Sequence, residues 1–208
     1  MCVLLALAFR KIDAGILALQ KIPRARKERR NPYFDRAERW APRLRFGPVS
    51  TRTGDRLDEP RFRRLSGDLA SRPPEAIVIA TTDDRGRPHP ALLSYGEVLA
   101  VTPALLRFAL AATSTTARNL AARGAVTLCL IGPEGAAYVK AAARVLPAEP
   151  SLAEKGLVAF EARVEDVLVD APAAGETARL TSGITFVAAD PMGQAREWAA
   201  RLEGLRRA

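Results

Sequence analysis

From Leu57 onward the chain is built of short apolar runs separated by Gly- and Pro-rich punctuation, and this rhythm constrains the fold more than any other feature. The runs are AIVIATT (76–82), HPALLSYGEVLAV (89–101), LLRFALAA (105–112), AVTLCLIG (125–132), AAYVKAAARVL (136–146), LVAFEARVEDVLVD (157–170) and ITFVA (184–188). Their Ile, Val and aromatic content suits strands. Most of the links, such as DDRGRP (83–88) with Gly86 for a positive φ, are too short for a parallel crossover, which takes about a dozen residues. Seven strands at this spacing predict an antiparallel barrel and not a doubly wound sheet. The second run is expected to break near Gly96, and AVTLCLIG, apolar throughout, is expected to be central. In 157–170 the alternation Val158, Phe160, Ala162, Val164 resumes at Val167 and Val169, so a bulge is predicted at Glu165–Asp166.

Three helices punctuate the strands. LDEPRFRRLSGDLASRP reads as a short helix with Asp58 as N-cap, Phe62, Leu65 and Leu69 on one face, and Pro73–Pro74 as its stop. TSTTARNLAARG (113–124) starts at a cap supplied by Thr113 or Ser114 and ends at Gly124. DPMGQAREWAARLEGLRRA (190–208) is a terminal helix with Pro191 in its first position. The fold class is therefore mainly β with peripheral helices.

Charge divides the chain in two. Residues 1–57 hold 14 basic and five acidic residues, whereas the 18 basic and 18 acidic residues of 58–208 cancel. The expected organisation is a flexible basic arm over 1–56 and one barrel domain with a C-terminal helix over 57–208. The arm opens on nine apolar residues, short of the roughly 20 a bilayer span needs. Its basic residues follow the apolar run, whereas a secretory signal places them before it. Residues 3–22 can form an amphipathic helix, and the Arg-rich stretch behind it can touch RNA or an anionic membrane. The plainer alternatives are a solvated tail without a partner, or a natural start near Val49 or Leu57. No DNA partner is expected, and a cytoplasmic location is.

Chemistry-bearing motifs are sparse. Two cysteines and one histidine exclude a disulfide framework and a four-thiolate zinc site, and no metal site is expected. There is no GxGxxG, GxxxxGK, GxSxG or HExxH. Cys129 reads as a buried, inert thiol, Asp83–Asp84 as turn residues, His89 as a strand-end polar residue, Trp198 as a packing residue, and TSGITF (181–186) as turn and strand. One segment differs: in LLRFALAATSTTARNL a strand feeds Thr113, Ser114, Thr115 and Thr116 into a helix start. Unpaired N–H groups and the positive dipole end there suit a phosphate. Arg118, one turn in, can lean back toward it. An ordinary capped helix is the simpler reading of the same residues.

RGRPHPALLSY followed by FALAATSTTARNLAARGAVTLCLIG resembles the FMN-binding split-barrel family typified by pyridoxamine-phosphate oxidase, over roughly 58–187. The resemblance implies a split β-barrel of the FMN-binding type, a homodimer, and a flavin between subunits. It places the phosphate at Thr113, Ser114, Thr115, Thr116, Arg118 and Asn119, and the isoalloxazine ring along Ala91, Leu92, Leu93 and Ser94. It implies an FMN-dependent oxidoreductase acting on a small redox substrate, with no catalytic side chain assigned. The alternatives are a non-catalytic flavin carrier, a cofactor-free barrel, and a deazaflavin- or haem-binding relative. Many relatives carry Arg or Lys where this chain has Thr115 and Thr116. A lost charge-assisted hydrogen bond of about 1.5–3 kcal/mol weakens binding roughly 10- to 150-fold, unless Arg118 or a partner-subunit residue compensates. The basic residues that grip the oxidase's phosphorylated substrate have no counterpart here, so the oxidase activity itself is not expected.

Overall fold

The computed structural model describes residues 50–69, 74–172 and 179–208. The expectations for residues 1–49, and for Pro73 as a helix stop, lie outside the described residues. The described residues form one compact unit. Its elements are β1 (Thr51–Gly54), α1 (Glu59–Arg64), β2 (Glu75–Thr82), β3 (Pro88–Ser94), a 3-10 turn (Tyr95–Glu97), β4 (Val98–Thr102), β5 (Leu105–Ala111), α2 (Thr115–Arg123), β6 (Ala125–Gly132), β7 (Gly135–Val145), α3 (Pro150–Ala153), β8 (Leu157–Asp170), β9 (Ile184–Thr185) and α4 (Pro191–Arg207).

All strand pairings are antiparallel, and the main path runs β3-β2-β6-β7-β8-β5-β4. Its first and last strands, β3 and β4, are joined through three residues, Tyr95–Glu97. The sheet must therefore curl until its ends meet, although no hydrogen-bonded ladder joins them: a split barrel, as the sequence suggested.

The interior is filled by alternate residues of each strand, among them Ile77, Ile79, Leu93, Phe108, Leu128, Val139, Phe160 and Val167. β6 lies between β2 and β7 as expected of an apolar central strand. The predicted bulge is present: Lys140 pairs with Asp166 and Ala141 with Val164, leaving Glu165 without an opposite residue. The break at Gly96 is the 3-10 turn.

Several boundaries differ from expectation. TRTG of β1, upstream of Leu57, pairs with β8 at Val167–Val169. Its side chains are mostly exposed, so no apolar alternation marked it. The helix from Asp58 is capped as predicted, with Arg61 N–H donating to Asp58 Oδ1 at 3.1 Å, but it ends at Arg64. The fifth run is a strand, as read. The seventh shortens to Ile184 and Thr185, paired with Ala76 and Glu75. The small α3 had no strong signal.

Arg64 ties the closed end together. Only 13% of its side chain is exposed, and it meets Glu75 at 3.0 Å and Glu134 at 3.1 Å. It also donates to the Ile131 carbonyl at 2.6 Å and to the Tyr95 hydroxyl. One guanidinium thus joins α1, β2, β6, the β6–β7 hairpin and the 3-10 turn. From outside, α4 packs on that turn: a Cβ on Gly96 would lie 2.1 Å from Trp198 Cγ, and Trp198 meets Phe186 edge-on at 6.0 Å.

The Gly96–Trp198 contact predicts that Gly96→Ala lowers unfolding stability by about 1–3 kcal/mol through overpacking. The penalty should shrink in a Trp198→Ala background, a coupling that a double-mutant cycle measured by chemical denaturation detects.

Candidate cofactor groove

The start of α2 is built as its sequence predicts. Ser114, in extended backbone conformation, is the N-cap, and its Oγ accepts from Ala117 N–H at 3.0 Å. Gly124 ends the helix in the left-handed region, φ +67°, which glycine adopts without a Cβ penalty. With Ala117 satisfied by the cap, the N–H groups of Thr115 and Thr116 find no acceptor among the described residues, the usual state of a first helical turn.

Arg118 turns back toward this helix start. Its Nη1 donates to the Thr113 carbonyl at 2.8 Å and its Nη2 to Thr115 Oγ1 at 2.8 Å. Both acceptors are neutral, and among the described residues no carboxylate pairs with Arg118. An exposed guanidinium therefore sits beside the positive end of the helix, bonded only to neutral groups.

These groups line one side of an open groove of about 740 Å³. Thr115, Arg118, Asn119 and Arg123 of α2 form one wall, and Asp83, Asp84 and His89 of the β2–β3 hairpin form the other. The Asp83 carboxylate is used by its own turn. It accepts from Arg87 N–H at 2.8 Å, Arg85 N–H at 2.9 Å and Arg87 Nε at 3.0 Å. These bonds, led by that from the Arg87 backbone, hold its pKa below the ordinary carboxylate value against a smaller opposing effect of desolvation.

The other candidates divide. Asn119 directs its amide nitrogen to Thr81 Oγ1 at 3.1 Å, which ties α2 to β2. Thr116 is buried and is not part of the groove lining, nor are Thr113 and Ser114. On β3, Ala91 and Leu93 face the core while Leu92 is 60% exposed. Ser94 is committed to the 3-10 turn: its N–H and Oγ donate to Glu97 Oε2 at 2.6 and 2.9 Å, and Glu97 pairs with Arg201 of α4 at 3.1 Å. β3 is an edge of the main path, so the peptide groups that do not pair with β2 are open to a ligand. The strand leads away from the groove at about 3.3 Å per residue.

Sequence reasoning missed two features. His89 stands near the strand end as read, second in β3, but its place in the groove lining opposite α2 had no local signal. Tyr138 and Asp170 had no local signal, being 32 residues apart, yet they bond at 3.0 Å. That bond, then burial, raises the Tyr138 pKa. Cys129 is half-buried on the outer sheet face, where desolvation raises its thiol pKa. Among the described residues no cluster of three or more His, Cys, Asp or Glu could hold a metal ion, and no helix is long and apolar enough to cross a membrane.

Comparison with known proteins adds a relative. The chain is 31% identical over 147 residues to YclD of Bacillus subtilis strain 168, an uncharacterized protein, covering 70% of this chain and 93% of YclD. The chain belongs to the YclD family. No protein-family model matches it. Solved structures with a similar outline include an F420 reductase (18% identity, TM-score 0.38, 46% of this chain and 90% of that one). A candidate pyridoxamine 5'-phosphate oxidase from Lactobacillus delbrueckii is 19% identical, with TM-score 0.45, covering 55% of this chain and 95% of that one. HutZ, the haem storage protein of Vibrio cholerae, is 16% identical, with TM-score 0.36, covering 62% and 97%.

Two stability changes are expected from the groove's framework. Ser114→Ala should cost about 1 kcal/mol of unfolding free energy by removing the cap. Asp83, whose folded pKa is lowered, stabilises the native state above its unfolded value, and this contribution is lost as pH falls through the folded value. The stability gap between wild type and Asp83→Asn should therefore be present at pH 7 and close in strong acid, as pH-dependent urea denaturation would show.

Proposed function

We propose that the protein binds FMN with the phosphate at the first turn of α2, and that the bound flavin serves oxidoreduction of a small molecule. The observation that carries this reading is Arg118. Its guanidinium, unpaired with any carboxylate among the described residues, lies beside Thr115 in a groove that opens on the helix start. A phosphate there would meet the Thr115 and Thr116 N–H groups, the Thr115 hydroxyl and a charge-assisted donor, the set that recognises phosphate in proteins. Arg118 also supplies the charge that Thr115 and Thr116 lack. The donor set fits one phosphate group; Asp83 does not oppose it strongly, because its oxygens are already engaged by N–H donors.

The rest of the cofactor would follow β3, where Leu92 offers an apolar surface and the strand edge offers backbone donors and acceptors. When bound, the flavin supplies hydride chemistry. The chain's own contribution is to hold the phosphate, orient the ring against β3 and limit water on its covered side. Each role needs a rigid scaffold, which Asn119–Thr81 and Ser94–Glu97 provide.

The assembly we propose is a homodimer. One cross-strand row on the outer sheet face runs Leu92, Val78, Cys129, Tyr138 and Leu168. These residues are half-buried or exposed, and a largely apolar row across five strands is a surface that a second copy can cover isologously.

Titration of the purified full-length chain with FMN, followed by flavin fluorescence, tests the reading. Binding should weaken about 10- to 150-fold in Arg118→Gln, the cost of one charge-assisted hydrogen bond. Riboflavin, lacking the phosphate, should bind weakly to both proteins. No saturable FMN binding up to about 100 μM, equivalent to about −5.5 kcal/mol, would sink the FMN reading; a Soret band with haem or tight deazaflavin binding would then replace it. FMN binding without steady-state turnover of any nicotinamide donor would make the protein a flavin carrier.

A further inference from the structure

The groove holds an ionisable group that the reading above does not use. His89 is half-buried on β3 and faces α2 across the groove. Its strand position is held by pairing with Thr81. Thr81 Oγ1 lies 3.4 Å from the His89 carbonyl oxygen and accepts from Asn119 at 3.1 Å. The backbone of His89 and the second turn of α2 are thus joined through one hydroxyl.

The charges around the imidazole are nearly balanced. On the hairpin side stand Asp83 and Asp84, with Arg85 and Arg87 on the same turn, Arg87 paired to Asp83 at 3.0 Å. On the helix side stand Arg118 and Arg123. The four charged residues that line the groove, two acidic and two basic, cancel. An anion entering a neutral groove gains little from long-range attraction. One proton on His89 changes the lining from neutral to positive.

We infer that His89 is a further phosphate-binding residue, taking up a proton as the phosphorylated ligand binds and making affinity pH-dependent. The inference rests on the α2 start being a phosphate seat. The step is a proton transfer from solvent: an imidazole nitrogen gains the proton, no other bond is broken, and the imidazolium then faces the phosphate. An opposite charge nearby favours the charged form of a histidine, and imidazole is the side chain whose ordinary titration lies closest to neutral pH. Above about pH 7 the phosphate ester itself stays dianionic, so any further pH dependence of binding in that range reports on the protein.

His89 is the only histidine of the chain, which gives a test without interfering signals. The imidazole proton resonance of the full-length protein is followed by NMR against pH, with and without FMN. Calorimetric titrations with FMN at pH 7 are run in two buffers of different ionisation enthalpy. A rise of about one pH unit in the His89 midpoint on binding is expected. A one-unit rise corresponds to net proton uptake on FMN binding and to affinity up to about tenfold weaker above both midpoints than below them. His89→Gln should abolish the proton uptake and flatten the profile, and His89→Lys should keep tight binding at pH 8.5. FMN binding with an unmoved His89 resonance and no proton uptake would overturn the role of His89 and leave the phosphate seat standing. Absence of FMN binding at every pH would remove both. The NMR measurement needs no variant, so a substitution that fails to fold does not blunt the test.

Discussion

The bulge at Glu165 is the constraint on which the architecture depends. β8 is 14 residues long and serves different neighbours along its length. One edge pairs with β7 over most of its course, while the other pairs first with β5, through Arg163, and then with β1, from Val167. Glu165 sits at the changeover. An inserted residue bends a strand and increases its twist, which lets one strand leave β5 and continue beside β1. It also restores the inward phase, so Val164 and Val167 are both buried although three residues apart. Without the extra residue, every side chain beyond it would point to the wrong face.

The curl begun at β8 is completed elsewhere by means other than a strand ladder. β3 and β4 are held near each other by the turn between them, and that turn is clamped from both sides. Arg64 reaches it from α1 through Tyr95, and Trp198 covers Gly96 from α4. α4 is itself fastened by Arg107 of β5, which donates to the Leu205 carbonyl at 2.9 Å and so satisfies an acceptor at the helix end. The barrel is therefore closed by covalent connection and side-chain packing, which leaves the β3 edge open for a ligand.

What was legible in the sequence follows the range of the interactions involved. The alternation in β8, including its phase slip, is a local pattern, and so are the Ser114 and Asp58 caps and the Gly124 stop. β1 was illegible because TRTG owes its extended form to the exposed edge of β8, more than a hundred residues away. Arg64 carries no local mark of its role, because its importance comes from Glu75, Ile131 and Glu134, up to 70 residues distant. At the groove, the backward lean of Arg118 was readable from helix geometry. The position of His89 was not, since it depends on how the β2–β3 hairpin lies against α2. Asn119 belonged to the expected phosphate motif, yet its amide serves as a tether to β2.

A guanidinium at the positive end of a helix is a small electrostatic conflict, and the fold retains it at Arg118. In most helices basic side chains gather at the opposite end, as Arg123, Arg206 and Arg207 do here. The first turn of α2 should consequently be among the least firmly set parts of the barrel. Its amides would exchange with solvent through local opening, sooner than those of β2 or β7 beneath it. An anion settling between Arg118 and the helix start would reverse the sign of that interaction, so the same turn would gain rigidity out of proportion to the few atoms it contacts.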